Sequence, residues 1–302
     1  MTESTMTLSK ETERPWTNAI VVLLISLVLL ALLLWSFAPT ISSLMKDWRH
    51  DDNYSVGQLV PFAALYLLWN DRKKLATCRA TPCWWGIGLI VLGQLARMFG
   101  LIWMFESAER YGFVLTIAGI VLLTAGGECF WRVRWILLFL FLMVPLPGRV
   151  HNLISGPLQS FASSGAVITL ELLGITVTRE GNVMMLNNRI PVGVVEACSG
   201  LRMLTAFVMV AAVLAYLVNR PRWQKVTLVL SSVPVAILCN LIRLVVTAIL
   251  FIWVSGELAE EFFHDFAGWV MMPLAVFILV GELWIMSRLV IEDQAEQDKV
   301  KM

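Results

Sequence analysis

Apolar positions along this chain fall into long unbroken runs, neither alternating like a half-buried strand nor striped like a soluble amphipathic helix. The runs lie near 17–38, 55–70, 84–104, 111–127, 132–147, 198–218, 226–254 and 266–288. A bilayer core about 30 Å thick takes roughly 20 residues of helix. The pattern therefore predicts an all-α integral membrane protein of about eight transmembrane helices, the second and fifth being the shortest. The more polar stretch 148–197 has two textures. Residues 151–173, HNLISGPLQSFASSGAVITLELL, are moderately apolar and rich in small residues, which predicts an interfacial or re-entrant helix. Near 174–197, Ile175 and Val177 alternate with threonines, Glu180-Gly181-Asn182 reads as a turn, and Val192 and Val194 resume the alternation. A small extracytoplasmic β-hairpin or three-stranded cap is predicted there. No internal repeat is evident, and residues 1–302 read as a single polytopic domain with polar tails at 1–16 and 289–302.

Composition strengthens this picture: 58% of residues are hydrophobic and 15% charged, whereas a soluble domain carries roughly a quarter charged. A net charge of +1 provides no basic face for nucleic acid. The first run, Ala19 to Ala38, has span length and no obvious cleavage site, so it reads as a retained helix. Basic residues set orientation. They concentrate at Lys10 and Arg14, Arg72–Lys74, Arg132 and Arg134, Arg220–Lys225, and Arg288 onward. These segments share one side if all eight runs cross, which predicts both termini in the cytoplasm and the 148–197 loop outside.

Candidate chemistry begins with the cysteines. Cys78, Cys83 and Cys129 flank segments predicted to be cytoplasmic, Cys239 sits inside the seventh run, and Cys198 alone reaches the outer side. It has no disulfide partner there, and the spacing matches no zinc pattern, so neither metal nor cofactor is expected. Taken alone, such a thiol is most simply a small buried residue at a helix start. Arg243 and His264 change that reading. Arg243 lies in an apolar run, where a charge costs on the order of 2.5–3.5 kcal/mol. It stands about 17 residues beyond Val226, or roughly 25 Å along a helix, near the outer surface. His264 opens the eighth run from the same side. A thiolate nucleophile, an imidazole that moves protons, and a guanidinium that stabilises the thiolate or an oxyanion make a chemically complete set. The helix start at Cys198 adds backbone N–H groups, and Gly200 permits close approach of a substrate backbone.

Other assignments stay open for each residue. Arg243 can pair with Glu196, Glu257 or Asp265 as a structural charge. His264 can be an interfacial histidine beside Trp269. Glu196 and Arg202 read as a supporting pair, and Arg97, midway along the third run, takes a structural or substrate-tail role.

The pieces VVEACSGLR around Cys198, NLIR ending at Arg243 and FHDFAGW around His264 resemble, in that order, the exosortases and the related archaeosortases. WRHDDNYSVGQLVPFAALYLLW, PLPGRVHNLISGPLQSFAS and LGITVTREGNVMML agree as well, so the resemblance spans about 48 to 275. Val56 departs from it, since histidine is expected at that place. The resemblance implies a cysteine protease or transpeptidase in a bacterial inner membrane, with catalytic Cys198, Arg243 and His264 facing the periplasm. Glu196, Ser199, Gly200, Arg202, Asn240 and Asp265 support them. The implied partners are exported proteins ending in a short motif, often Pro-Glu-Pro-like, then a transmembrane helix and a basic tail, in a setting of exopolysaccharide production. Two other classes compete: a transporter or flippase using Arg97 and Arg243 as a polar path, and a non-catalytic assembly factor for polysaccharide export.

Overall fold

The computed structural model describes residues 15–51, 53–78, 81–180, 183–187, 190–193, 200–253 and 270–289. In chain order the helices are α1 (Pro15–Ser36), α2 (Ala38–His50), α3 (Leu59–Asn70), α4 (Arg72–Ala76), α5 (Trp85–Trp103), α6 (Glu106–Phe139) and α7 (Gly148–Leu172). Strands β1 (Val177–Glu180), β2 (Val183–Leu186) and β3 (Ile190–Gly193) follow, then α8 (Leu201–Leu217), α9 (Arg222–Trp253) and α10 (Met271–Leu289). Among the described residues, Trp85–Trp103, Glu106–Met143 and Arg222–Trp253 are long and apolar enough to cross a membrane. The pair Leu24–Ser36 and Ala38–His50, bent by 65°, makes a fourth if counted as one span. A predominantly helical membrane protein with a small sheet is thus present. Two of the expected spans are shorter than their hydropathy implies. α8 has 17 residues, and α3 has 12 because Ser55–Gln58 winds into a tight 3-10 turn ahead of it.

The described chain gathers into two compact units, Met1–Leu44 with Leu68–Phe141, and Met45–Leu67 with Leu142–Met302. In the first, Gly86, Gly93 and Gly100 on α5 and Gly112 and Gly119 on α6 recur every seven residues. The helices touch through backbone. A Cβ on Gly93 would lie 2.8 Å from the Gly112 carbonyl oxygen, and one on Gly86 2.7 Å from that of Gly119. Small residues let helices approach this closely in lipid, where dispersion rather than water drives association.

α6 breaks at Gly126, whose φ of 83° and ψ of 177° are not helical. The break is a reversal. Tyr111 and Phe141 stack with ring centroids 6.0 Å apart, although a straight helix would separate them by about 45 Å. Val133 and Leu137 likewise bury against Ala118. The fourth and fifth apolar runs are therefore two antiparallel arms, hinged at a glycine whose Cβ would stand 1.9 Å from the Thr81 carbonyl oxygen.

The second unit holds the sheet, ordered β1-β2-β3 and antiparallel throughout. Its register pairs Val177 with Leu186 and Met184 with Val192. Val177, Met184 and Leu186 are buried with Ala162, Ala166 and Leu170 of α7 and Leu244, Val245 and Ala248 of α9. Arg179 donates to Ser164 Oγ at 2.7 Å, fastening β1 to α7. α7 turns Ser155, Ala162, Ser163 and Ala166 inward and exposes Leu153, Phe161, Ile168 and Leu172. An apolar outer face is what lipid contact requires, in keeping with the interfacial or re-entrant helix read from the sequence.

Candidate active site

The site is assembled by two helices that meet near their ends. α9 buries one stripe along its length, including Leu228, Ser232, Ala236, Cys239, Asn240, Arg243 and Thr247, at intervals of three or four residues. Arg243 belongs to that stripe and is 4% exposed, so its guanidinium sits within protein rather than against lipid. Thr247 donates to the Arg243 carbonyl oxygen at 2.7 Å, satisfying the hydroxyl inside the helix. Pro234 interrupts the ladder one turn beyond Leu230. Ser231 and Ser232 donate instead to the Leu228 and Val229 carbonyls, at 3.0 and 2.7 Å.

α8 packs on the same face. Met203 and Phe207 are buried with Ala236 and Cys239, and the helix starts at Gly200, which is buried and left-handed with φ 78°. Its carbonyl accepts the Leu204 N–H at 2.8 Å, the first bond of the helix. A Cβ on Gly200 would come 2.9 Å from Asn240 Nδ2. Two constraints thus select glycine here, backbone sign and contact with Asn240. The start of α8 is pressed against the helical turn that carries Asn240 and Arg243.

Three of the residues singled out in the sequence are accordingly brought together, Gly200, Asn240 and Arg243, with Arg202 one turn into α8. Cys198, His264, Glu196, Ser199 and Asp265 lie outside the described residues. Arg97 is not part of this cluster. In the first unit it donates to Ser36 Oγ and to the Ser36 carbonyl oxygen, the latter at 2.6 Å, and its guanidinium lies 4.5 Å from the Phe37 ring centroid. Those groups sit at the bend between α1 and α2, so the structural role weighed for Arg97 is the one its contacts support.

Reading by motif missed a second polar contact in the same unit. Tyr54 Oη and His151 Nδ1 are 2.6 Å apart, and Trp48 Nε1 donates to the Met143 carbonyl at 3.1 Å. Together they join the Trp48–Gly57 segment to the start of α7. The 3-10 turn beside them packs on α8, and Val56, standing where histidine was expected, is buried at 7% exposure. Nothing in local spacing pairs residue 54 with residue 151. The signal was only that both lie in stretches sharing the resemblance.

A family model described as transmembrane exosortase matches residues 48–281. No curated protein and no solved structure matches the chain.

Proposed function

Because the chain belongs to the transmembrane exosortase family, whose members are cysteine transpeptidase-type proteases, we propose that it cleaves the C-terminal sorting signal of exported proteins. Cys198 is the nucleophile, His264 the general acid and base, and Arg243 the group that stabilises thiolate or oxyanion. The protein crosses a bacterial inner membrane eight times, with both termini inside and the site facing the periplasm.

The observation that carries this reading is the contact of Gly200 with Asn240, one turn from a buried arginine. Covalent connectivity holds the Cα of Cys198 within about 7.6 Å of that of Gly200. The sulfur and the Arg243 guanidinium therefore belong to one neighbourhood. A guanidinium held within protein favours ionised sulfur, since Coulomb attraction strengthens as the local dielectric falls. His264 takes the thiol proton and delivers it to the leaving amine. Attack on the scissile carbonyl breaks the C–N bond, releases the substrate's membrane helix and leaves a thioester, which water or an amine then resolves. A substrate whose helix is halted by a basic cytoplasmic tail presents its motif just above the outer surface, at the depth of these side chains. The sheet seated on α7 and α9 offers edge strands for an extended peptide by β-augmentation. Thr178→Pro on β1 is expected to abolish processing, and unchanged processing would remove the sheet from the mechanism.

The decisive test follows the size of candidate C-terminal-signal proteins from the same genome in cells expressing the native enzyme, Cys198→Ala, Arg243→Ala or His264→Ala. Shortening by the native enzyme alone, with all variants at normal membrane levels, supports the assignment. Processing that survives Cys198→Ala would falsify it. Alkylation separates the competing classes as well. Loss of processing after selective labelling of Cys198 belongs to the enzyme, while an inert thiol favours a transporter or assembly factor.

A further inference from the structure

A second pair of thiols lies in the first unit and takes no part in the chemistry above. The α4 segment is fastened to the second arm of α6 by one side chain. Arg132 donates to the Lys74 carbonyl and to Thr77 Oγ1 (the latter at 3.0 Å), and it pairs with Glu128 at 2.7 Å. A few residues further along, Thr81 bridges Gly126 through the backbone. Between these two fastenings stand Cys78 and Cys129, both half-buried and both free. Their thiols share a hydrogen bond, and Cys78 Sγ also contacts the Lys74 carbonyl oxygen at 3.8 Å. The two sulfurs are thus held together by contacts on either side, and neither packs as an isolated core thiol.

We propose that Cys78 and Cys129 form a paired-thiol site that a low-molecular-weight disulfide converts into an internal disulfide, tying α4 to the second arm of α6. One thiol, as thiolate, attacks a sulfur of the small disulfide. An S–S bond forms to the protein and one small thiolate leaves. The second cysteine gives its proton to water and attacks the protein-bound sulfur, expelling the other small thiolate. The protein gives up two electrons and two protons, and the reagent takes both electrons to become two thiolates. The proximity of the partner makes the second step intramolecular and fast, so the mixed disulfide does not accumulate.

The test uses the full-length protein in detergent or nanodiscs, treated with 5,5′-dithiobis(2-nitrobenzoate) and mapped by peptide mass spectrometry without reduction. The expected result is a peptide joining Cys78 to Cys129, with two equivalents of coloured thiolate released for that pair and no aryl adduct kept on either residue. In Cys129→Ser the link disappears and Cys78 retains one adduct, whereas Cys83→Ser leaves the link intact. Separate stable adducts on Cys78 and Cys129 in the native protein would overturn the proposal. So would a link from Cys78 to Cys83, or failure of both thiols to react while Cys198 does. Because the native map is read directly, the outcome does not depend on a variant folding.

Discussion

The α5–α6 pair and the α8–α9 pair are both antiparallel helix packings, and glycine serves opposite purposes in them. In α5–α6 the glycines recur on both helices, and each faces the other helix's backbone, so close approach is spread along the whole length. In α8–α9 the contact is made by larger side chains such as Met203, Phe207 and Cys239, and Gly200 alone carries a special backbone state. The first arrangement distributes its constraint and the second concentrates it at the place where a nucleophile would be presented. Stability is therefore expected to respond most to change in the first pair, and activity to change in the second.

The largest effect is expected at Gly126. Gly126→Ala forces a left-handed conformation on alanine and drives its Cβ into the Thr81 carbonyl, together costing more than about 3 kcal/mol. Membrane yield and thermal unfolding in detergent should both collapse, and a normal melting temperature would show that the reversal does not depend on glycine. Gly200→Ala should lose processing at least about tenfold with normal membrane levels, since the left-handed cost alone is about 1–2 kcal/mol. Adding Asn240→Ala should recover only part, because it relieves the 2.9 Å contact and not the backbone strain. Full recovery would make the problem steric alone. Next comes Arg97→Gln, which gives up charge-assisted bonds to Ser36 and should lower stability by about 1–3 kcal/mol while processing per folded molecule is kept. A selective loss of turnover would return Arg97 to the substrate path. The smallest effect, with opposite sign, is expected for Gly88→Ala. Nothing lies within 4 Å of that Cβ, so α5 should gain up to about 1 kcal/mol of helix propensity.

Hydropathy located the helices because a membrane segment is apolar all round, and that property survives averaging over a window. It placed the polar stretch GGECFWRVR between two runs, and the chain reverses there at Gly126. The three-stranded cap was legible from Ile175, Val177 and the Glu180-Gly181-Asn182 turn, because alternation is local. The seven-residue glycine spacing was equally local yet went unread, since attention to what is apolar passes over what is merely small. The bend at Phe37 and its attachment to Arg97 could not be read at all, because Ser36 and Arg97 are far apart in sequence and neither is unusual in its own window. The Tyr54–His151 contact failed for the same reason. Of the candidate site, Arg243 was legible as a charge in an apolar run. Its packing beside Gly200 required the antiparallel fit of α8 on α9.

The reversal at Gly126 also bears on how the finished chain is oriented. Each crossing exchanges the sides on which successive loops emerge, so a segment that doubles back contributes two crossings where a straight one contributes a single crossing. Were residues 106–143 to cross once, every later loop would exit on the opposite side, and the sheet, Gly200 and the outer end of α9 would face the other compartment. One residue in the first unit thus sets the parity of all that is threaded after it. A lesion there would act less by weakening the fold than by delivering an intact catalytic half to the wrong side of the membrane.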